Sequence, residues 1–403
     1  MKVSDFMENN KSIEDLNGII KGAYYISFPL SFIGFMIPIY AIDMGASSME
    51  MAMIYTVFSV ITIVIKPFVG KLIDLRGRKT GILIGGILYA CALITLFLGK
   101  AYEFILASRI LQSAAAAFMW ISLDTMISDV STSNERGKNF GGVQQILNKG
   151  ELLGSFIGFN LYFNQIIENI NYIFGIYALF VILGIYKAFK YGKETLNKNN
   201  NVRLERKINK NLLKEVFKKN FIIYLIFTFT ICFLSSMTAP IFFVYIRDNI
   251  TSSISKISMM FIPSALLSII FPQKFGELCD KFGNINMMTI GILISAIFTL
   301  FIPFSKGILI YTIVYTIISL GDIIVSPVWG VMTSEFCGRD TGGVTYGIRS
   351  MIAGIASALG PIVGALIYDN LGSAMVFYIQ GIILILCAVW VKLIVGRMKV
   401  AQK

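Results

Sequence analysis

Residues Gly70–Lys79 read GKLIDLRGRK and residues Gly276–Asn284 read GELCDKFGN, 206 positions apart in a chain of 403 residues. Each is a short polar interruption between two long apolar stretches. Laid over itself at that offset, the chain puts Gly70 on Gly276, Asp74 on Asp280 and Gly77 on Gly283. The register then holds. Gly85 meets Gly291, Gly137 meets Gly343, Gly141 meets Gly347, Gly154 meets Gly360, Gly158 meets Gly364 and Gly175 meets Gly381. Asp129 falls on Glu335, and Tyr162 and Tyr172 fall on Tyr368 and Tyr378. With 35 glycines in the chain, chance would supply roughly one or two such glycine pairs over the overlap. The chain is a tandem duplication.

The duplicated unit is made for a membrane. Hydrophobic residues are 56% of the chain and charged residues only 14%, more apolar than a soluble core needs. Runs of about 20 apolar residues, enough to cross about 30 Å of hydrocarbon as helix, recur twelve times. They lie near 18–42, 49–69, 80–99, 102–127, 139–162, 171–189, 221–246, 256–275, 286–304, 307–332, 344–368 and 373–395. The expected fold is therefore all-α, two six-helix bundles built from parallel repeats. The expected organisation is a tail at 1–17, bundles at 18–189 and 221–395, a basic linker at 190–220 and a tail at 396–403. Such an architecture points to solute transport.

Charge sets the expected orientation. The first sixteen residues are polar and acidic and do not read as a signal peptide, which places the N-terminus in the cytoplasm. The loops then outside carry only Lys100, Arg247, Lys256 and Lys306. Those inside carry Lys71, Arg76, Arg78, Lys79, Arg136, Lys138, Lys274, Lys281 and Arg339, with Arg397, Lys399 and Lys403 in the tail. This is the positive-inside distribution. Much of the net charge of +12 sits between Lys187 and Lys219, where eleven Lys/Arg face three Glu. A linker lying near anionic headgroups accounts for it, and no nucleic-acid partner is expected. The chain has no histidine, which removes a His proton relay, a Ser–His–Asp triad and a His-ligated metal site. Its five cysteines form no CxxC pair and are expected to be free thiols. No P-loop is present.

GKLIDLRGRK resembles the loop 2–3 motif of the major facilitator superfamily, G-x-x-x-D-(R/K)-x-G-R-(K/R). Gly70, Asp74, Gly77, Arg78 and Lys79 match, while Leu75 stands at the first basic position and Arg76 follows it. The resemblance implies a gate that latches the cytoplasmic side shut. Asp74 would face the positive end of a helix in the other half, or an arginine there, and Arg349 is the candidate arginine. The second copy keeps Gly276, Asp280 and Gly283 but has Phe282 and Asn284 for Arg76 and Arg78. The latch should therefore be stronger in the first half. The alternative is that these charges only anchor the loop at the headgroups.

Ionisable residues inside spans are costly and tend to face a cavity and a partner. Arg109 and Asp124 lie on the fourth span, on one stripe with Ser113, Ala116 and Trp120. They are about 22 Å apart along the axis and cannot pair. Arg109-x-x-Gln112 resembles a family motif associated with proton transfer, with Ser113 in place of its glycine; a structural arginine is the other reading. Lys149 and Glu151 flank a glycine face on the fifth span, Gly150, Gly154 and Gly158, spaced for close helix packing. Glu151 is the leading candidate for a protonatable acid, and a buried ion pair is its alternative. Asp322 is the one central acid of the second half. On the first span Tyr25, Phe28 and Phe32 fall on one face with Lys21 and Phe35, either a cavity wall for an apolar or cationic solute or plain packing.

Family exporters often carry G-x-x-x-G-P-x-x-G-G on the fifth helix. Here Ser155 and Phe159 replace the proline and last glycine, whereas Gly360, Pro361 and Gly364 on the eleventh span keep the fuller form. The resemblance leans toward the twelve-helix drug:proton antiporter branch. It implies a monomeric efflux transporter of the cell membrane, partnered by a small solute, protons and lipid, with no cofactor and no metal. A proton-coupled importer of a small metabolite and a transporter-like sensor that binds without translocating stay open.

Overall fold

The computed structural model describes residues 14–44, 48–99, 101–132, 134–196, 219–251, 254–336 and 342–395. Most of the basic linker, both tails and Cys337 lie outside them. Helices α1 (Asn17–Asp43), α2 (Ser48–Arg76), α3 (Arg78–Leu98), α4 (Tyr102–Val130), α5 (Arg136–Phe163) and α6 (Ile170–Tyr191) make up the first repeat. The second contains α7 (Lys219–Asn249), α8 (Ile254–Ile270), α9 (Pro272–Phe282), α10 (Asn284–Phe301), α11 (Ile308–Glu335), α12 (Gly342–Leu371) and α13 (Ser373–Trp390). Among the described residues, nine helices are long and apolar enough to cross a membrane, and the pair α8–α9 makes a tenth. Helices α2 and α5, at 29 and 28 residues, complete the twelve. Mid-helix Lys149 and Glu151 make α5 the most polar of the set.

The span expected at 256–275 is broken in the structure: α8 and α9 meet at Phe271 with a bend of 55°. Pro272 opens α9 and cannot donate a backbone bond to the preceding turn. The motif is also less of a loop than its name suggests. Residues 70–76 are helix, and the whole turn between α2 and α3 is Gly77, at φ +111°. Gly283 does the same between α9 and α10, at φ +86°. Only glycine takes up such a conformation without strain.

Packing repeats with the sequence. In the first half α3 packs on α4 and α6, α1 on α6 and α2 on α4. In the second, α10 packs on α11 and α13, α7 on α13 and α8 on α11. The described residues fall into two compact units. One is Met1–Thr132, Ile146–Asn209 and Cys337–Met351; the other is Ser133–Gln145, Lys210–Phe336 and Ile352–Lys403. Each unit thus includes the first turns of a helix that belongs mainly to the other: α12 starts in the first unit and α5 in the second. Large apolar side chains such as Phe68, Leu179, Leu309, Ile362 and Leu386 remain exposed, as a lipid-facing surface requires.

The glycine face of α5 packs on α1. A Cβ on Gly154 would lie 2.0 Å from the carbonyl oxygen of Phe28, and Gly150 and Gly158 meet Ser27 and Phe32 at similar range. On α12, Gly360 approaches Phe233 and Ser236 of α7 in the same way, beside Pro361, and Gly364 is buried. Of the two readings of the α1 stripe, this contact favours packing for Phe28 and Phe32. Phe32 is fully buried among Phe159, Phe174 and Tyr177, and Phe28 stacks on Phe180 at 5.1 Å. Tyr25 takes a bond from Lys187 at 3.1 Å. Cys91, Cys232, Cys279 and Cys387 are free thiols.

Candidate functional site

Two features concentrate chemistry: a pair of acid clasps at the glycine turns, and a cavity in the second unit.

Asp74 lies one turn before Gly77, beyond the predicted span. Its two carboxylate oxygens accept from the backbone N–H groups of Gly343 and Val344, each at 2.9 Å. These are among the first N–H groups of α12, which no carbonyl within that helix can satisfy. The approach needs Gly70, since a Cβ there would lie 2.3 Å from the Gly343 oxygen. Asp280 repeats the arrangement in the second unit, taking the N–H groups of Gly137 and Lys138 at 2.8 Å. Gly276 admits the contact, its Cβ position lying 2.0 Å from the Gly137 oxygen. Every member is related to its counterpart by 206 residues.

Asp74 therefore meets a helix start, and the sequence-based pairing with Arg349 is corrected. Arg349 and Lys66 are instead the cations acting on Asp124, all within the first unit; Lys66 also donates to the Ser350 carbonyl at 3.2 Å. The basic partner of Asp74 is Arg78, at 3.2 Å, and Arg78 reaches Asp129 at 3.1 Å. Burial pushes the Asp74 carboxyl up to about 6, against the pull of Arg78 and the two N–H groups. In the second copy Asn284 takes the place of Arg78 and donates to Glu335 at 3.1 Å. The expected asymmetry thus lies in the support, while the two clasps match.

The cavity, of about 570 Å³, is walled by α7, α8, α10, α11 and α13. Along α11, Tyr315, Asp322, Ser326 and Trp329 fall on one stripe facing it. Asp322 and Ser326 are the exposed positions in an otherwise buried stretch of that helix. Tyr315 sits between Phe242 (ring centroids 4.7 Å) and Phe261 (4.9 Å, edge-on). Ser295 of α10 lies 3.0 Å from an Asp322 oxygen, and also 3.1 Å from the Ile318 carbonyl. Gly321 leaves it room, because a Cβ there would lie 2.3 Å from the Ser295 oxygen. Gln380 of α13 completes the polar rim. One carboxylate in an aromatic-lined space suits an apolar or cationic solute.

Of the sequence-predicted residues, only Asp322 lies on this wall. Glu151 accepts from Ser31 of α1 at 2.7 Å. Arg109 bonds Gln112 at 3.0 Å and lies over the Phe58 ring, while Ser113 meets Thr62 at 2.6 Å, so the upper α4 stripe packs on α2. Trp120 is half-buried further along it. Sequence reasoning missed Ser295, Trp329 and Gln380. The stripe 315–322–326–329 was readable as a helical period, but its rings do not stand out in a chain with 13% aromatics.

The Major Facilitator Superfamily model matches residues 23–247 and 225–402. The chain is 24% identical over 355 residues to the quinolone resistance protein NorA of Staphylococcus aureus, covering 86% of this chain and 89% of that one. It is 24% identical over 350 residues to multidrug resistance protein 2 of Bacillus subtilis, covering 84% and 85%. Among solved structures, the E. coli fucose:proton symporter FucP superposes with a TM-score of 0.79 at 12% identity, over 95% of this chain and 99% of that one. The human organic anion transporter MFSD10 gives 0.66 at 14%, over 93% and 97%. At these identities the two structures speak for the fold alone.

Proposed function

The chain belongs to the Major Facilitator Superfamily, and on that premise we propose that it exports small hydrophobic compounds, cationic ones among them, in exchange for protons by alternating access. It is a multi-pass membrane transporter. The cell membrane is its proposed location, with the glycine turns facing the cytoplasm as the positive-inside pattern asks.

One observation carries the reading: among the described residues, Asp322 is the only carboxylate on the wall of a 570 Å³ cavity that also presents Phe242, Phe261, Tyr315, Trp329 and Phe377. A carboxylate there can hold either a proton or a cationic solute, and that competition is the simplest form of antiport. The relatives named for quinolone and multidrug resistance support a drug-like solute. Asp322 is accordingly the proposed coupling residue, ahead of Glu151 and Asp124. The two acid clasps are the proposed gate, made in one state and broken in the other.

The test uses proteoliposomes holding a pH dye, with ethidium, a fluorescent lipophilic cation, and an imposed proton gradient. Counterflow of protons and ethidium supports the assignment. Proton movement alongside a small polar metabolite would replace it with import, and binding without flux would replace it with a sensor.

A further inference from the structure

We propose that Glu194 and Thr195, at the start of the central loop, are positioning residues of the Asp74 clasp: they strap the loop onto the α2–α3 turn and hold Arg78 between Asp74 and Asp129. The inference rests on the reading of that clasp as a gate.

Helix α3 starts at Arg78 directly after Gly77, which has no side chain to cap it. Glu194 supplies the cap from far along the chain. Its two oxygens accept from the N–H groups of Arg78 at 2.9 Å and Lys79 at 3.0 Å, where a negative charge also meets the positive end of the helix. Gly77 leaves the space for it: a Cβ there would lie 2.3 Å from a Glu194 oxygen. The same carboxylate takes the N–H groups of Thr195 and Leu196, both at 3.0 Å, which curls the strap onto itself. Lys79 reaches the opposite way, to the carbonyls of Phe189 and Gly192 at 2.9 and 2.7 Å. These lie at the negative end of α6.

Thr195 closes the arrangement. Its hydroxyl donates at 2.9 Å to the Asp129 oxygen that the Arg78 guanidinium meets at 3.1 Å. The strap thus grips both the backbone of Arg78 and the acid its side chain pairs with. Among the described residues nothing equivalent is built on the second turn. Asn284 and Ile285 stand at the matching positions, and a Cβ on Gly283 would have nothing within 4 Å. The strap is found on the copy whose turn carries the arginine.

Loosening it should free Arg78 and weaken the hold of Asp74 on Gly343 and Val344. The experiment is amide hydrogen exchange, read by mass spectrometry on the purified full-length protein, in peptides covering Gly342–Arg349. Glu194→Gln should speed exchange there roughly ten-fold, as loss of a charge-assisted bond would. Thr195→Val should do so to a smaller extent. Asp74→Asn should do at least as much as Glu194→Gln, and the double variant no more than Asp74→Asn alone. The strap is refuted if Glu194→Gln frees only the first amides of α3, or if its effect adds in full to that of Asp74→Asn. Should Asp74→Asn itself leave Gly342–Arg349 unchanged, the clasp fails as a gate element and the strap fails with it. Thr195→Val, nearly isosteric, carries the test if the Glu194 variant does not fold.

Discussion

Asp280 repeats Asp74 at a distance of 206 residues, and each carboxylate spans two consecutive backbone N–H groups at the start of a helix. The two clasps match, but among the described residues only Asp74 has an arginine paired with it. A duplicated contact with unequal support makes the two copies separable by mutation.

Arg78 is almost fully buried between two acids. Arg78→Asn, which installs the residue of the second copy, leaves those acids facing each other. It should cost about 3–5 kcal/mol, the range for removing one partner of a buried pair. Asn284→Ala removes one neutral donor and should cost about 1 kcal/mol. Thermal unfolding in detergent measures both, and equal losses would contradict the asymmetry.

Gly70→Ala and Gly283→Ala separate two uses of glycine. At Gly70 a methyl group runs into backbone, so α2 and the start of α12 must move apart. At Gly283 the space is open and only the backbone conformation is strained, at a cost of about 1–3 kcal/mol. The first variant should lose exchange protection at Gly342–Arg349, and the second should keep it. Protection retained in Gly70→Ala would remove the close-approach argument.

Phe32 and Phe261 distinguish packing from cavity. Phe32→Ala should destabilise by about 3–5 kcal/mol, as for other fully buried aromatics, and lower all transport in proportion to folded protein. Phe261→Ala, on the cavity wall, should change the range of transported compounds with a smaller loss of stability. A substrate-selective effect of Phe32→Ala would restore the α1 stripe as a cavity wall.

The fold was legible because it is written twice. The register from Gly70/Gly276 to Gly175/Gly381 fixed the duplication, and the apolar runs fixed the twelve spans. The bend at Phe271 escaped because Pro272 lies near the end of an otherwise uniform apolar run. The clasps were half legible. Asp74 was identified, with a helix start or Arg349 as its partner, but the backbone N–H groups it meets have no letter of their own and could not be named. Glu194 was hidden by its setting, one acid in a basic linker. The α1 aromatics left two readings open for the opposite reason: their spacing is regular, yet the same period serves a cavity wall or a packed face. Asp322 could be named as an intramembrane acid, whereas Ser295 of α10 and Gln380 of α13 join the same cavity wall through tertiary packing that no local pattern encodes.

Ser295 tests the environment of the proposed coupling acid. Ser295→Ala removes the hydroxyl that bonds Asp322 at 3.0 Å and should lower proton-driven ethidium export in folded protein, and Ser295→Thr should restore it. Unchanged export in Ser295→Ala would mean that this bond does not support coupling.

The most direct measurement compares Asp322→Asn with Glu151→Gln in proteoliposomes, following ethidium and internal pH together under an imposed proton gradient. The account predicts that Asp322→Asn abolishes coupled counterflow in folded protein and that Glu151→Gln, at an acid that accepts from Ser31, retains it. Counterflow surviving in Asp322→Asn and lost in Glu151→Gln would move the coupling site to the first half and contradict the central claim.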